Sequence, residues 1–338
     1  MKRTPSYSQL FAASVTLLVL AGCSATPGPS QFRSAALPAH SGSISSTVDT
    51  SRAALKAPVV IAVDSDTGAL EYWPMQQGWN KHPIAISPPG LFNGFGLVAN
   101  GHVVSFANEN PPEVLQYDID AKTETALADP FGTPLDIAIG KDKSLYVINL
   151  VRPHNNNVVM YSGGSPNPQE LSCKAIADGT NIAVDNEGNI FVGAYFSRNG
   201  TDVVKIPNGP HGPDPAHCTP LYLGLKSAYM AGVVVDPKTD DLVTLTNPDL
   251  CAGGVEGLMT VFPKPYRVKT GQSHVVGQNC SSGLRLTADS SAVLVLDSSF
   301  AGVSLFVLQR SFPDGRPMAT YRNGQPSSVT TIPNTLPN

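Results

Sequence analysis

A unit made of a short apolar strand, a tight polar turn and a second apolar strand recurs five times in this chain. No other feature constrains its fold as much. The copies are 96–106, 136–148, 181–192, 232–243 and 283–295, and their starts lie 40, 45, 51 and 51 residues apart. Their turns are built from Asn, Asp, Gly, Pro, Lys and Ser, which favour reversals through positive φ, fixed φ or side-chain bonds to the local backbone. Two further strand candidates follow each of the last four copies: 157–161 and 170–173, 202–206 and 220–223, 258–262 and 274–276, 303–307 and 318–321. Four strands in a repeat of this length predict one blade of a β-propeller.

The ends of the chain extend this reading. Stretches 59–63, 69–73 and 83–86 resemble the last three strands of a blade without its first, and 329–333 resembles a lone first strand. Joined, they predict an all-β, six-bladed propeller whose last blade is closed by N- and C-terminal strands. Closure pairs edges that would otherwise template aggregation. A β-sandwich also has short strands and turns, but the regular spacing argues against it, and no long unassigned stretch remains for a seventh blade. Charged residues make up only 14% and Gly and Pro number 30 each, a composition that suits short strands and tight turns.

The amino terminus reads differently. Lys2 and Arg3 precede an apolar run from Leu10 to Ala21 that ends in Leu20-Ala21-Gly22-Cys23. The run is too short to span a bilayer as a helix, and its layout is that of an export signal. It resembles a bacterial lipoprotein signal with its lipobox. The resemblance implies cleavage of 1–22 and a lipid anchor on Cys23, with a diacylglycerol on the sulfur and an acyl chain such as palmitate on the new amino terminus. More than one chain makes such anchoring stable. Ser24 after the Cys implies sorting to the outer membrane, so the expected location is the cell envelope, with the membrane as a partner through the lipid. Residues 23–57, rich in Ser, Ala, Pro and Gly, are expected to form a flexible tether with an r.m.s. span of roughly 30 Å. The propeller is expected to occupy 58–338.

Cleavage would remove Lys2 and Arg3 and no acids, so the formal charge of −4 becomes −4 − 2 = −6. No basic patch invites nucleic acid. Cys173, Cys218, Cys251 and Cys280 remain for the exported domain, an even set that suggests two disulfides with three possible connectivities. Pairing of sequence neighbours, Cys173–Cys218 and Cys251–Cys280, is the simplest; free buried thiols are the alternative.

The string Ile182-Ala-Val-Asp-Asn-Glu-Gly-Asn-Ile-Phe-Val192 resembles the NHL-repeat and SMP-30-like six-bladed propellers. The likeness is strongest over 136–206 and covers most of 58–333. It implies a fold more than an activity. SMP-30-like lactonases hold a divalent metal with a Glu, Asn and Asp set at the channel. Asn149, Asn247 and Asp297 end equivalent second strands, but no Glu stands at the matching first-strand position near Val329.

In a propeller, the loops from strand two to three and from strand four to the next blade line the channel mouth. These loops supply the candidate binding residues Asn149, Arg152, His154, Arg198, Asn247, Asp249 and Asp297, with Asn108-Glu109-Asn110 and Glu256 beside them. Any one such residue is an ordinary solvated loop position; together they form a mixed polar rim. His211, Asp214, His217 and Cys218 offer zinc-type ligands, but Pro210, Pro213 and Pro215 break any spacing that would align them. No nucleophile elbow, phosphate loop or paired-His helix motif occurs. The expected function is therefore a non-enzymatic binding or interaction module for a protein, glycan or small molecule, with no cofactor beyond the lipid. A metal-dependent SMP-30-like hydrolase or lactonase and a structural component of an envelope assembly are the alternatives. Neither calcium nor zinc has a matched ligand set.

Overall fold

In the computed structural model the described residues run from 59 to 332, apart from 65, 75–83, 93, 152–155, 164, 195–201, 226–228, 248–256, 277–279, 287–291, 300–301, 310–318 and 322–325. All belong to the compact unit Val48–Asn338. They contain six four-stranded antiparallel sheets and no α-helix.

Sheet 1 unites β1 (Val59–Asp64), β2 (Ala69–Pro74) and β3 (Ile84–Ala85) with β26 (Pro326–Ile332), in the order β26-β1-β2-β3. Sheet 2 is β4 (Gly94–Asn100), β5 (Val103–Asn108), β6 (Glu113–Asp118) and β7 (Thr123–Ala128). Sheet 3 is β8 (Thr133–Ile139), β9 (Leu145–Leu150), β10 (Asn157–Tyr161) and β11 (Pro168–Leu171). Sheet 4 is β12 (Gly179–Val184), β13 (Ile190–Ala194), β14 (Val203–Ile206) and β17 (Thr219–Leu221), with the small ribbon β15 (Asn208–Gly209) and β16 (Gly212–Pro213) before its last strand. Sheet 5 is β18 (Tyr229–Val235), β19 (Leu242–Asn247), β20 (Gly257–Phe262) and β21 (Gln272–Val276). Sheet 6 is β22 (Cys280–Leu286), β23 (Ala292–Ser299), β24 (Gly302–Gln309) and β25 (Ala319–Tyr321).

The strands β26, β4, β8, β12, β18 and β22 each touch the next, and β22 returns to β26. They are the inner strands of a closed ring. The expected union of first and last strands is present, with Val59 opposite Ile332 and Ala62 opposite Val329. Apolar layers fill the gaps between neighbouring sheets. Between sheets 1 and 2, Phe106 is fully buried and meets Phe92 edge-on at 5.2 Å between ring centroids. Burial of such a side chain contributes about 1.5–3 kcal/mol. Equivalent layers join sheets 2 and 3 (Val114, Val147), 3 and 4 (Ile148, Ile182), 4 and 5 (Phe191, Val233) and 5 and 6 (Leu245, Leu284).

The recurring Asp at the turn after an inner strand has a local cause. Oδ1 of Asp185, after β12, accepts from the N–H groups of Glu187 and Asn189, and that of Asp236, after β18, from Lys238 and Thr239. Each carboxylate caps the turn that reverses the chain. At this same end of the ring, Lys264 donates to Glu187 and Asp240, both at 3.0 Å, and clamps sheet 4 to sheet 5.

Two strands of sheet 2, β6 and β7, follow the first repeat copy, for which the sequence reading named no partners. β7 (Thr-Glu-Thr-Ala-Leu-Ala) is almost wholly exposed, so it has no apolar alternation to betray it. β11 runs two residues ahead of the expected 170–173, and Cys173 lies beyond its end in a disulfide. That bond joins Cys173 to Cys218 as expected and ties the outer part of sheet 3 to that of sheet 4.

Candidate binding site

Every inner strand carries a β-bulge at its second or third residue, where two residues oppose one on the neighbouring strand. Bulges bend and twist a strand and re-aim its side chains. All six lie at one end of the ring, the end where the second strands finish and the third strands begin. This end is the mouth.

Just inside the mouth two charges meet. Arg285 on β22 donates Nη2 to Oδ1 of Asp136 on β8. The same guanidinium donates Nε to the Leu97 carbonyl on β4 at 3.4 Å and Nη1 to Leu284 at 3.0 Å. Asp136 accepts from its neighbour Ile137 N–H at 2.9 Å, and its Oδ2 accepts from Ile182 N–H on β12 at 3.1 Å. One carboxylate and one guanidinium thus bind inner strands from four of the six sheets, across the axis. Gly96 makes room for this: its φ is +78°, and a β-carbon there would stand 2.6 Å from the Asp136 Cα.

Nearer the rim, Glu109 follows β5 and folds over Gly94, the first residue of β4; a β-carbon on Gly94 would stand 3.2 Å from Glu109 Cγ. Burial pushes the Glu109 carboxyl up to about 7. Asn156, before β10, donates to the carbonyl of Gly179, the first residue of β12. Phe95, beside Gly94, is 37% exposed. Asp129, in the connection to sheet 3, accepts from Phe131 N–H at 3.0 Å and from Asn149 Nδ2 at 2.9 Å. Burial raises the Asp129 carboxyl above its ordinary range, and these hydrogen bonds oppose the rise.

The buried side-chain atoms here that lack a hydrogen-bond partner among the described residues are Glu109 Oε1 and the Oδ1 atoms of Asn149, Asn156 and Asn157. All are acceptors. Such groups are costly unless a donor or a cation reaches them.

Of the residues expected at the mouth, Asn149 is the penultimate residue of β9 and Asn247 the last of β19, and both are fully buried. Their registers differ. Asn149 is opposite Pro134 and Asp297 opposite Ser281, both just beyond the bulge, whereas Asn247 is opposite Tyr229, one residue further. Arg152, His154, Arg198, Asp249, Glu256, Cys251 and Cys23 lie outside the described residues. Cys280 begins β22. His217 Nδ1 lies 2.7 Å from Asp214 Oδ2, and Cys218 is in the disulfide, so the His211–Cys218 segment does not converge as a ligand set. Among the described residues no three His, Cys, Asp or Glu gather around a point fit for a metal. The axial carboxylate Asp136 is held by Arg285, and Asn149 and Asn247 stand at different registers, so these two do not occupy the equivalent positions that the Glu, Asn and Asp set of the SMP-30-like lactonases implies.

Sequence reasoning passed over Asp136 and Arg285. Their signal was a charged residue inside an otherwise apolar inner strand, Leu-Asp-Ile-Ala-Ile and Leu-Arg-Leu, near matched points of the repeat.

The ring resembles solved structures. A chain in the crystal structure of a nidogen/laminin complex superposes with a TM-score of 0.64 at 12% identity, covering 83% of this chain and all of that one (100%). TolB from Acinetobacter baumannii gives 0.57 at 9%, covering 83% and 67%. The fold is a β-propeller. The tricorn protease gives 0.52 at 14%, covering 82% of this chain and 30% of its own. No protein-family model matches the propeller sequence, and no curated protein does. At these identities the likeness concerns the propeller fold alone.

Proposed function

We propose that this chain is an envelope lipoprotein, anchored through Cys23, whose six sheets are the six blades of a propeller that serves as a binding module. The ligand, a protein, glycan or small molecule, seats at the mouth between Glu109, Phe95 and Asn156. One observation carries this reading: two partnerless buried polar atoms at the mouth, Glu109 Oε1 and Asn156 Oδ1, are acceptor oxygens, at the same end of the ring as the exposed Phe95 side chain. A ligand that brings hydroxyl or amino donors and a small apolar face would complement them.

Thermal-shift screening of polyols, oligosaccharides, amines and short peptides tests the binding role. A hit whose stabilisation is lost in Glu109→Gln and Asn156→Leu supports it; a hit that both variants retain places the ligand elsewhere and counts against it. Lipidation is tested separately by labelling cells with radioactive palmitate. Label should enter the wild type and be absent from Cys23→Ser.

A further inference from the structure

Asn149 on β9 and Asn157 on β10 are direct register partners. Their side chains therefore leave the same face of sheet 3. On that face Val147, Val159 and Tyr161 pack against sheet 2. Both asparagines are buried, with 0% and 8% exposure. Each amide nitrogen is drawn to a carboxylate on its outer flank. Asn149 Nδ2 donates to Asp129 Oδ2 at 2.9 Å, on the side of β8, and Asn157 Nδ2 donates to Glu170 Oε1 at 2.9 Å, on β11. A primary amide is planar, with its oxygen and nitrogen on opposite branches. With each nitrogen held by a carboxylate on its own flank, both amide oxygens remain on this shared face of adjacent strands. Neither oxygen has a hydrogen-bond partner among the described residues. Two buried amide oxygens on directly paired residues, with a carboxylate on each flank, make this part of the seam negative.

We propose that the Asn149 and Asn157 amide oxygens ligate a hard cation, with calcium the best match, in the seam between sheets 2 and 3. The donors are all oxygen, which suits calcium rather than a soft metal. Asp129 and Glu170 balance a divalent charge from the second layer, each held in place by the amide it accepts from. Glu170 is exposed and marks the route by which the ion and its remaining waters enter. The site is off the ring axis, and it stands or falls independently of the ligand at the mouth.

The test is calorimetric titration of the chelator-treated full chain with calcium chloride, alongside thermal unfolding. Binding is expected in the sub-millimolar to millimolar range typical of weak calcium sites, roughly 0.1–1 mM, with a rise in the unfolding midpoint. Asn157→Leu should abolish both responses, and Asn157→Asp should tighten binding by about tenfold, the equivalent of about 1.4 kcal/mol. No heat and no midpoint shift in the wild type at about 10 mM calcium would mean that a water fills the gap, and would overturn the site. So would a calcium response that persists in Asn157→Leu. Should that variant fail to fold, equal calcium affinity in Asn157→Asp and the wild type overturns it.

Discussion

Arg285 and Asp136, 149 positions apart, stand on sheets that face each other across the ring, and their side chains meet near its axis. Removing one member leaves the other charge buried without its partner, which typically costs about 3–5 kcal/mol. Arg285→Met is expected to destabilise the fold by that order. Asp136→Leu should cost at least as much, because the N–H of Ile182 also loses its acceptor. The double variant should recover part of the loss. Urea unfolding of all four proteins measures the coupling, and strictly additive losses would refute it.

Gly96 is the position where a single methyl group should be felt most directly by that pair. Its φ of +78° disfavours any other residue, and its β-carbon would collide with Asp136. Gly96→Ala should destabilise by about 2 kcal/mol or more. A variant within 0.5 kcal/mol of the wild type, about the scatter of ordinary surface changes, would mean that the strand yields without cost.

Stability should fall as pH rises from about 4.3 to about 7. The Glu109 carboxyl titrates near 7 in the fold because burial penalises its charge, whereas an unfolded Glu titrates near 4.3. Between these values the folded chain binds the extra proton, so stability declines with rising pH and the full penalty applies above about pH 7. Discounted for the solvent that still reaches Glu109, the effect is on the order of 1 kcal/mol. Glu71 on β2 is also pushed up to about 7, by burial and then by the neighbouring Asp64 charge, and adds in the same direction. Denaturation at pH 5 and pH 8 should show the decline, and it should be shallower in Glu109→Gln. An identical slope in that variant would assign the effect elsewhere.

The Cys173–Cys218 bond closes a loop with a sequence separation of 45 residues. Its removal in a Cys173→Ser, Cys218→Ser double variant should cost about 2–4 kcal/mol, mostly by freeing the unfolded chain. A reducing agent should lower the unfolding midpoint of the wild type toward that of the variant. A midpoint unmoved by reduction would contradict this.

Much of the ring was legible because its signals are local. Short apolar strands such as 137–139 and the Asp-Asn-Glu-Gly turn follow from apolar runs bounded by turn residues. β7 was not legible, since an outer strand with almost no buried residue has no pattern to read. Nor were the six bulges, of which only Gly96 left a trace in residue type. The candidate site was legible only by its end of the ring. Asn149 belonged to that end, but its buried partners Asp129 and Asn157 are set by pairings between strands, and Arg285 finds Asp136 only once the ring has closed. Long-range register, not composition, decides which polar atoms are stranded.

The pairing of β1 with β26 has a consequence for how the molecule comes into being. The inner edge of β1 stays bare until β26, the last strand of the ring, has been synthesised. A chain cut short before Pro326 would retain most of the ring's inter-sheet layers, yet it would present an open, apolar edge of the kind that proteases attack and aggregates extend. The propeller therefore reports on its own completeness: only a chain that carries β26 covers that edge.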